Sequence, residues 1–383
     1  MTLEPFQVTW SPERLDLLRS GIAAFRWPDV PEAAGWRFGC DPAFLRSICR
    51  YWMEEYDFVG AQAELNRYPQ FRVEMEPGQK IHFVHVIGEA RGRRPLLLVH
   101  GWPGSPYEYW PVIEALAFPT RYGRSAEYAF DLVIPSLPGY AFSSKPRTAV
   151  GPMLTAMWLD ALMCEVLGYR RYLVEGTDWG VVIAPWMALR RPGHVRGIYL
   201  EDLGLRPAAD PTTQEERDWV TAQAQRNAEL DAYYRLHTMR VSSLAYLAAG
   251  NPVGQAAWLL ERFHDWSDLR DRPVEEIFSR DQLLTSVNLY VLTDTFGTSA
   301  WFYAGAEAEG AKQMAPGARV NVPTGFSAWA DRRNAPPPRS FVEKGYNVVF
   351  WRDQPRGGHF QPMEAPDLFV DALRDWGSIV DAS

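Results

Sequence analysis

The sequence predicts an α/β protein: a doubly wound, mostly parallel sheet with a helical lid inserted between its strands and a helical and strand extension before them. Short continuous apolar runs of the kind buried on both faces of a parallel sheet occur at residues 96–99, 130–134, 171–174 and 197–200, and again at 319–322 and 346–350. Helix-forming stretches separate the early runs, at residues 106–117, 151–168 and 181–191. The alternation stops near Leu205, and residues 213–310 form helix without a convincing strand before the runs resume near Ala318.

In chain order, residues 11–26 read as an amphipathic helix, with Leu15, Leu17, Leu18, Ile22 and Phe25 at helical spacing behind a Ser11-Pro12-Glu13 start. A Pro-, Gly- and Trp-rich loop follows, then a second helix over 41–56. Residues 66–79 carry Pro69 and Pro77 and give way to an alternating strand at 80–86. These patterns divide the chain into an N-terminal region at 1–94, a core at 95–205 and 318–383, and a lid at 206–317. A lid inserted there covers the carboxyl ends of the strands, where open α/β sheets bind ligands.

Composition narrows the partners. A net charge of −8 argues against nucleic acid or an anionic membrane surface. The one dense basic stretch, Arg91-Gly92-Arg93-Arg94, reads as a solvated loop before a strand. The start Met1-Thr2-Leu3-Glu4-Pro5 lacks the form of a signal peptide, and no apolar run is long enough to span a membrane. Cys40, Cys49 and Cys164 have no metal-like spacing and read as free thiols, so a cytoplasmic location is expected, without metal or organic cofactor. Aromatic residues make up 14% of the chain, enough to line an apolar pocket as well as fill a core.

Three motifs can carry chemistry. Gly176-Thr177-Asp178-Trp179-Gly180 sits at a strand-to-helix turn and has the form of a nucleophile elbow with Asp at its centre. A carboxylate there attacks carbon and forms an alkyl ester that water later cleaves; the competing reading is an Asp that caps a helix. His100-Gly101-Trp102-Pro103-Gly104 follows the first apolar run. Its place assigns the amides of Trp102 and Trp179 to an oxyanion hole, with His100 as a prop for the loop. Arg356-Gly357-Gly358-His359-Phe360 follows the last run, and His359 is the last histidine in the chain, as the α/β-hydrolase order of nucleophile, acid and histidine requires. Trp102, Pro103, Trp179, Phe326 and Phe360 are expected to line the pocket.

The whole sequence resembles the microsomal-type, juvenile-hormone-type epoxide hydrolases. The resemblance rests on Arg26-Trp27-Pro28, Gly35-Trp36, Tyr51-Trp52, Pro69-Gln70-Phe71 and Ile81 to His85. In the core it rests on His100 to Gly104, Pro135 to Tyr140, Asp178-Trp179-Gly180, Pro323 to Phe326 and Arg356 to Phe360. It implies two lid tyrosines that hydrogen-bond an epoxide oxygen, placed at Tyr233 and Tyr303, with Tyr234 the neighbour to which the first could slip. It also implies a small apolar or aromatic epoxide as substrate. The chain departs from the family at the acid behind the histidine, where Arg332 stands in the register of the usual Glu. Asp331 is the expected substitute, with Glu201 and Asp202 as alternatives. Thr177 stands where the family commonly has Gly. A haloalkane dehalogenase built on the same Asp and His, or an inactive ligand-binding member, are the rival readings. The N-terminal arm could support a homodimer.

Overall fold

The computed structural model describes residues 2–31, 35–89, 94–331 and 335–382. The basic residues Arg91 and Arg93 and the in-register Arg332 lie outside the described residues. Among those described, nine strands form one sheet: β1 (Leu3–Phe6), β2 (Gln70–Glu76), β3 (Gln79–Val86), β4 (Pro95–Val99), β5 (Asp131–Pro135), β6 (Tyr172–Gly176), β7 (Val195–Leu200), β8 (Val320–Ala328) and β9 (Tyr346–Asp353). Their order is β1-β2-β3-β5-β4-β6-β7-β8-β9. The pairs from β5 through β9 are parallel, and β1, β2 and β3 extend the sheet in antiparallel fashion onto β5.

The apolar runs occupy the middle of this sheet for a physical reason. Every residue of β4, β5 and β6 is buried, because helices cover both faces. The chain leaves β4 for β5 on one side and later returns to β6 on the other. The carboxyl ends of β4 and β6, paired at Val99 and Gly176, therefore flank a topological switch point, the crevice where such sheets bind ligands.

The structure differs from the sequence reading at the amino end. β1, β2 and the helix Phe58–Leu65 were not anticipated. β2 reads Gln-Phe-Arg-Val-Glu-Met-Glu, half polar, with proline on either side, and it forms because β1 and β3 pair with it from both edges. Residues 151–168 form not one regular helix but an α-helix, Pro152–Ala161, that opens into a π-helical turn, Leu162–Val166.

The amino-terminal region braces the lid. Trp52 Nε1 donates to Asn288 at 3.2 Å and the Tyr56 hydroxyl meets that of Thr285 at 2.8 Å, both on the lid helix Arg280–Val291. From that helix, the Tyr290 hydroxyl donates to the carbonyl of Gly104 at 2.6 Å, which ties the lid to the loop after β4. The three cysteines are free thiols; Cys49 is buried, and burial pushes its thiol up to about 12. Cys164 does converge with Asp160 and His194, but Asp160 is already engaged by Tyr172, His194 and Arg191. Among the described residues, no helix is long and apolar enough to cross a membrane.

Candidate active site

Asp178 lies in the turn between β6 and the helix Gly180–Arg190, with a φ of 43°, a left-handed conformation that costs a non-glycine residue about 1–3 kcal/mol. The turn is held by Thr177 N donating to Val99 O at 3.0 Å. Gly180 is needed because a Cβ there would fall 2.1 Å from the Val99 carbonyl oxygen. The strained turn projects the carboxylate away from the sheet. Its Oδ1 accepts from the Trp102 amide at 2.8 Å, and its Oδ2 lies 3.4 Å from His359 Nε2. Trp179 caps the following helix, so its amide is at the positive end of the helix dipole. His100 accepts from Leu137 N through Nε2, which leaves Nδ1 to donate to the Gly101 carbonyl at 2.9 Å. Burial lowers its pKa to about 4, so it is neutral at physiological pH and braces the loop.

Asp331 reaches the other side of the histidine, with Oδ2 3.0 Å from His359 Nδ1. Three residues past β8, its loop is fastened to the histidine's loop by Ala330 N donating to Gly357 O at 3.1 Å. Burial opposes charge on His359, but the carboxylates of Asp331 and Asp178 outweigh it and raise the imidazole from 6.5 to about 10. Because the folded pKa is the higher, this stabilisation is complete below pH ~6.5 and is lost as pH rises toward 10. Thermal melts should therefore show Tm falling between those values, with a shallower fall in Asp331→Asn. Equal slopes in the two proteins would contradict the assignment of charge to this cluster.

The alternative acids are engaged elsewhere. Glu201 is buried and accepts from Trp329 Nε1, and burial raises its pKa to about 8. Asp202 accepts from the amide of Leu203 at 2.7 Å. Two further buried carboxyls escaped the sequence reading. Thr177 Oγ1 donates to Glu108 at 2.9 Å, and Tyr109 donates to Glu175 at 2.9 Å. Burial raises both, Glu108 to about 8, so Glu108 is largely neutral at pH 7 beneath the charged Asp178. Thr177, the small departure at the elbow, thus holds this carboxyl. The signal in the sequence was Glu175 inside an otherwise apolar run.

Both lid tyrosines are buried in an aromatic cage. Tyr233 stacks on Trp102 with centroids 5.5 Å apart, and Tyr303 stands edge-on to Trp179 at 4.8 Å. The two rings are 6.0 Å apart and nearly perpendicular. Tyr234 also lines the cleft, but its hydroxyl donates to Glu307 at 2.5 Å. Of the expected pocket residues, Trp179 lines the cleft that reaches Asp178. Trp102 and Pro103 are buried, and of the two it is Trp102 whose amide reaches Asp178. Phe326 and Phe360 are also buried, Phe326 stacked on Trp351 at 4.6 Å and Phe360 on Phe263 at 4.2 Å, with the Phe360 ring 5.2 Å from that of His359.

One residue in the histidine's support was missed. Glu364 is half-buried, and its carboxylate accepts from the amides of Gly358, Phe360 and Asp268, each at 2.8 Å. The His359 amide between them donates to the Trp266 carbonyl at 3.0 Å. The glycine before the histidine therefore serves close approach: a Cβ on Gly358 would meet the Asp268 nitrogen at 2.5 Å. Glu364 grips both sides of the histidine and fastens them to the end of the lid helix Pro252–Trp266. Burial raises its pKa to about 7 against the pull of the three amides. Glu364→Ala leaves those amides unpaired and lets the imidazole drift; a shift of about 1 Å can cost ~100-fold in rate. The expected result is that much slower release of product with normal first-step chemistry, read by stopped flow, and an unchanged release rate would exclude a positioning role.

Comparison with known proteins places the chain. Residues 3–109 match the family model described as epoxide hydrolase N terminus, and residues 94–237 the one described as alpha/beta hydrolase fold. A putative epoxide hydrolase of Stigmatella aurantiaca is 35% identical over 97% of this chain and 84% of its own length. Epoxide hydrolase 1 of Sus scrofa is 31% identical over 99% and 89%. The chain belongs to the epoxide hydrolase family. Among solved structures, the juvenile hormone epoxide hydrolase of Bombyx mori superposes with a TM-score of 0.88 at 26% identity, covering 100% of this chain and 95% of that one. The Aspergillus niger epoxide hydrolase gives 0.85 at 28%, covering 99% and 97%. The likeness thus runs along essentially the whole chain.

Proposed function

We propose that the protein hydrolyses an epoxide to a vicinal diol through an ester on Asp178. The observation that carries this reading is the carboxylate at the strained elbow, hydrogen-bonded by the Trp102 amide and facing a histidine that Asp331 backs. In the first step Tyr233 and Tyr303 hold the epoxide oxygen while Asp178 attacks a ring carbon. The C–O bond breaks and the alkoxide takes a tyrosine's proton.

Esterification then removes the charge of Asp178, one of the two that keep His359 protonated. The imidazolium becomes more acidic, and its proton makes good the one the tyrosine gave up. Neutral His359, oriented by Asp331, next takes a proton from water, which attacks the ester carbonyl. The amides of Trp102 and Trp179 stabilise the tetrahedral oxyanion until the diol leaves and Asp178 is regenerated.

The aromatic cage around the tyrosines suits an apolar or aromatic carbon next to the ring. The free thiols support a reducing, cytoplasmic setting. Hydrolysis of styrene oxide, abolished in Asp178→Asn, tests the reading. Chloride released from short haloalkanes faster than diol from epoxides would assign the same Asp and His to dehalogenation instead.

A further inference from the structure

The cleft that reaches Asp178 is not apolar throughout. Beside Trp179, Tyr303 and apolar residues such as Val182 and Leu203, its lining includes Asp202, Arg206, Asn227, Asp231, Tyr234 and Lys312. Asn227, Asp231 and Tyr234 continue into an open groove on the lid surface that also includes Glu307. A molecule entering this way meets hydrogen-bonding groups before it meets the aromatic cage.

Lys312 stands at the junction. Its ammonium lies 4.5 Å from the centre of the Tyr234 ring and 5.9 Å from that of Trp179, so it spans the distance between the mouth and the reacting end. It is held there by the backbone, since Arg206 N donates to the Lys312 carbonyl at 3.0 Å and sets the two basic residues side by side. Across the cleft, Gln223 Nε2 donates to Asn227 Oδ1 at 2.9 Å and so orients the Asn227 amide.

We propose that the epoxide this enzyme prefers carries a neutral hydrogen-bonding substituent, a hydroxyl or an amide a few atoms from the ring, which Lys312 and Asn227 recognise. The inference rests on the epoxide hydrolase reading above. Charge selects the neutral class: Asp202 and Asp231 balance Arg206 and Lys312 along the wall. An anionic substituent would also meet the carboxylate of Asp178 at the base. A polar wall favours such a substrate because an alkyl chain in the same place displaces water from these groups without replacing its hydrogen bonds.

The test compares an alkyl epoxide, epoxyhexane, with its ω-hydroxy analogue of equal chain length. Wild-type kcat/KM should favour the hydroxy compound by roughly tenfold, chiefly through KM. Lys312→Met keeps the length of the stem beside Tyr234 and removes the donor. It should bring the ratio near unity; Asn227→Leu should lower the ratio in part. Equal rates on both compounds in the wild type, or a preference that survives both variants, would overturn the proposal. Failure of the underlying reading looks different: neither epoxide would yield diol.

Discussion

His359→Gln should consume one equivalent of epoxide per active site and then stop. Asp178 still has the Trp102 amide on Oδ1 to orient it, so the alkylation step survives; the base for the second step is gone. A general base contributes roughly 10²–10⁴-fold, and release of diol from the ester should slow by that factor. Rapid-quench measurements would resolve a burst of substrate loss followed by a flat phase. The variant also removes a cation from between Asp178 and Asp331, so the alkylation rate itself reports how much that charge matters to the nucleophile. Steady turnover at the wild-type rate would show that His359 is not the base.

The second large effect is expected at the tyrosines. Replacing Tyr233 and Tyr303 together by Phe keeps the cage, since the stacking of Tyr233 on Trp102 and the edge contact of Tyr303 with Trp179 need only rings. What is lost is donation to the epoxide oxygen. Removal of one such donor to a developing oxyanion costs roughly 10²–10³-fold, and with both absent the alkylation step should fall below detection. Each single variant should retain measurable alkylation, and Tyr234→Phe should alter it little, because that hydroxyl is committed to Glu307. The distinction from His359→Gln is sharp: the tyrosine pair blocks formation of the ester, and the histidine blocks its hydrolysis.

How much of this was legible in the sequence follows from where each signal lies. Leu96 to Val99 and its fellow runs are apolar because they are buried on both faces, so the parallel half of the sheet could be read directly. β2 could not, because a short half-polar strand takes its form from partners distant in sequence. Asp178, Trp102 and His359 announce themselves through glycine-rich turns. The choice between Tyr233 and Tyr234 does not, since neighbours on one helix face different ways only once the helix is packed. Asp331 was expected behind His359 from its place just after β8, but the choice over Glu201 and Asp202 depends on a loop fastened to Gly357, which the sequence does not display. Glu364 was missed for a related reason. A carboxylate that binds backbone amides has no sequence partner to reveal it. Aromatic composition announced enough rings for a pocket but does not say which of them face it.

The most direct test of the covalent mechanism is a single turnover in water enriched in heavy oxygen, with enzyme in excess over styrene oxide. The solvent oxygen should enter the carboxyl group of Asp178, detected by mass in the peptide that contains it, and the diol of that first turnover should carry none. Solvent oxygen found in the diol with an unlabelled Asp178 peptide would mean that water attacks the epoxide directly, and the ester on Asp178 would have to be abandoned.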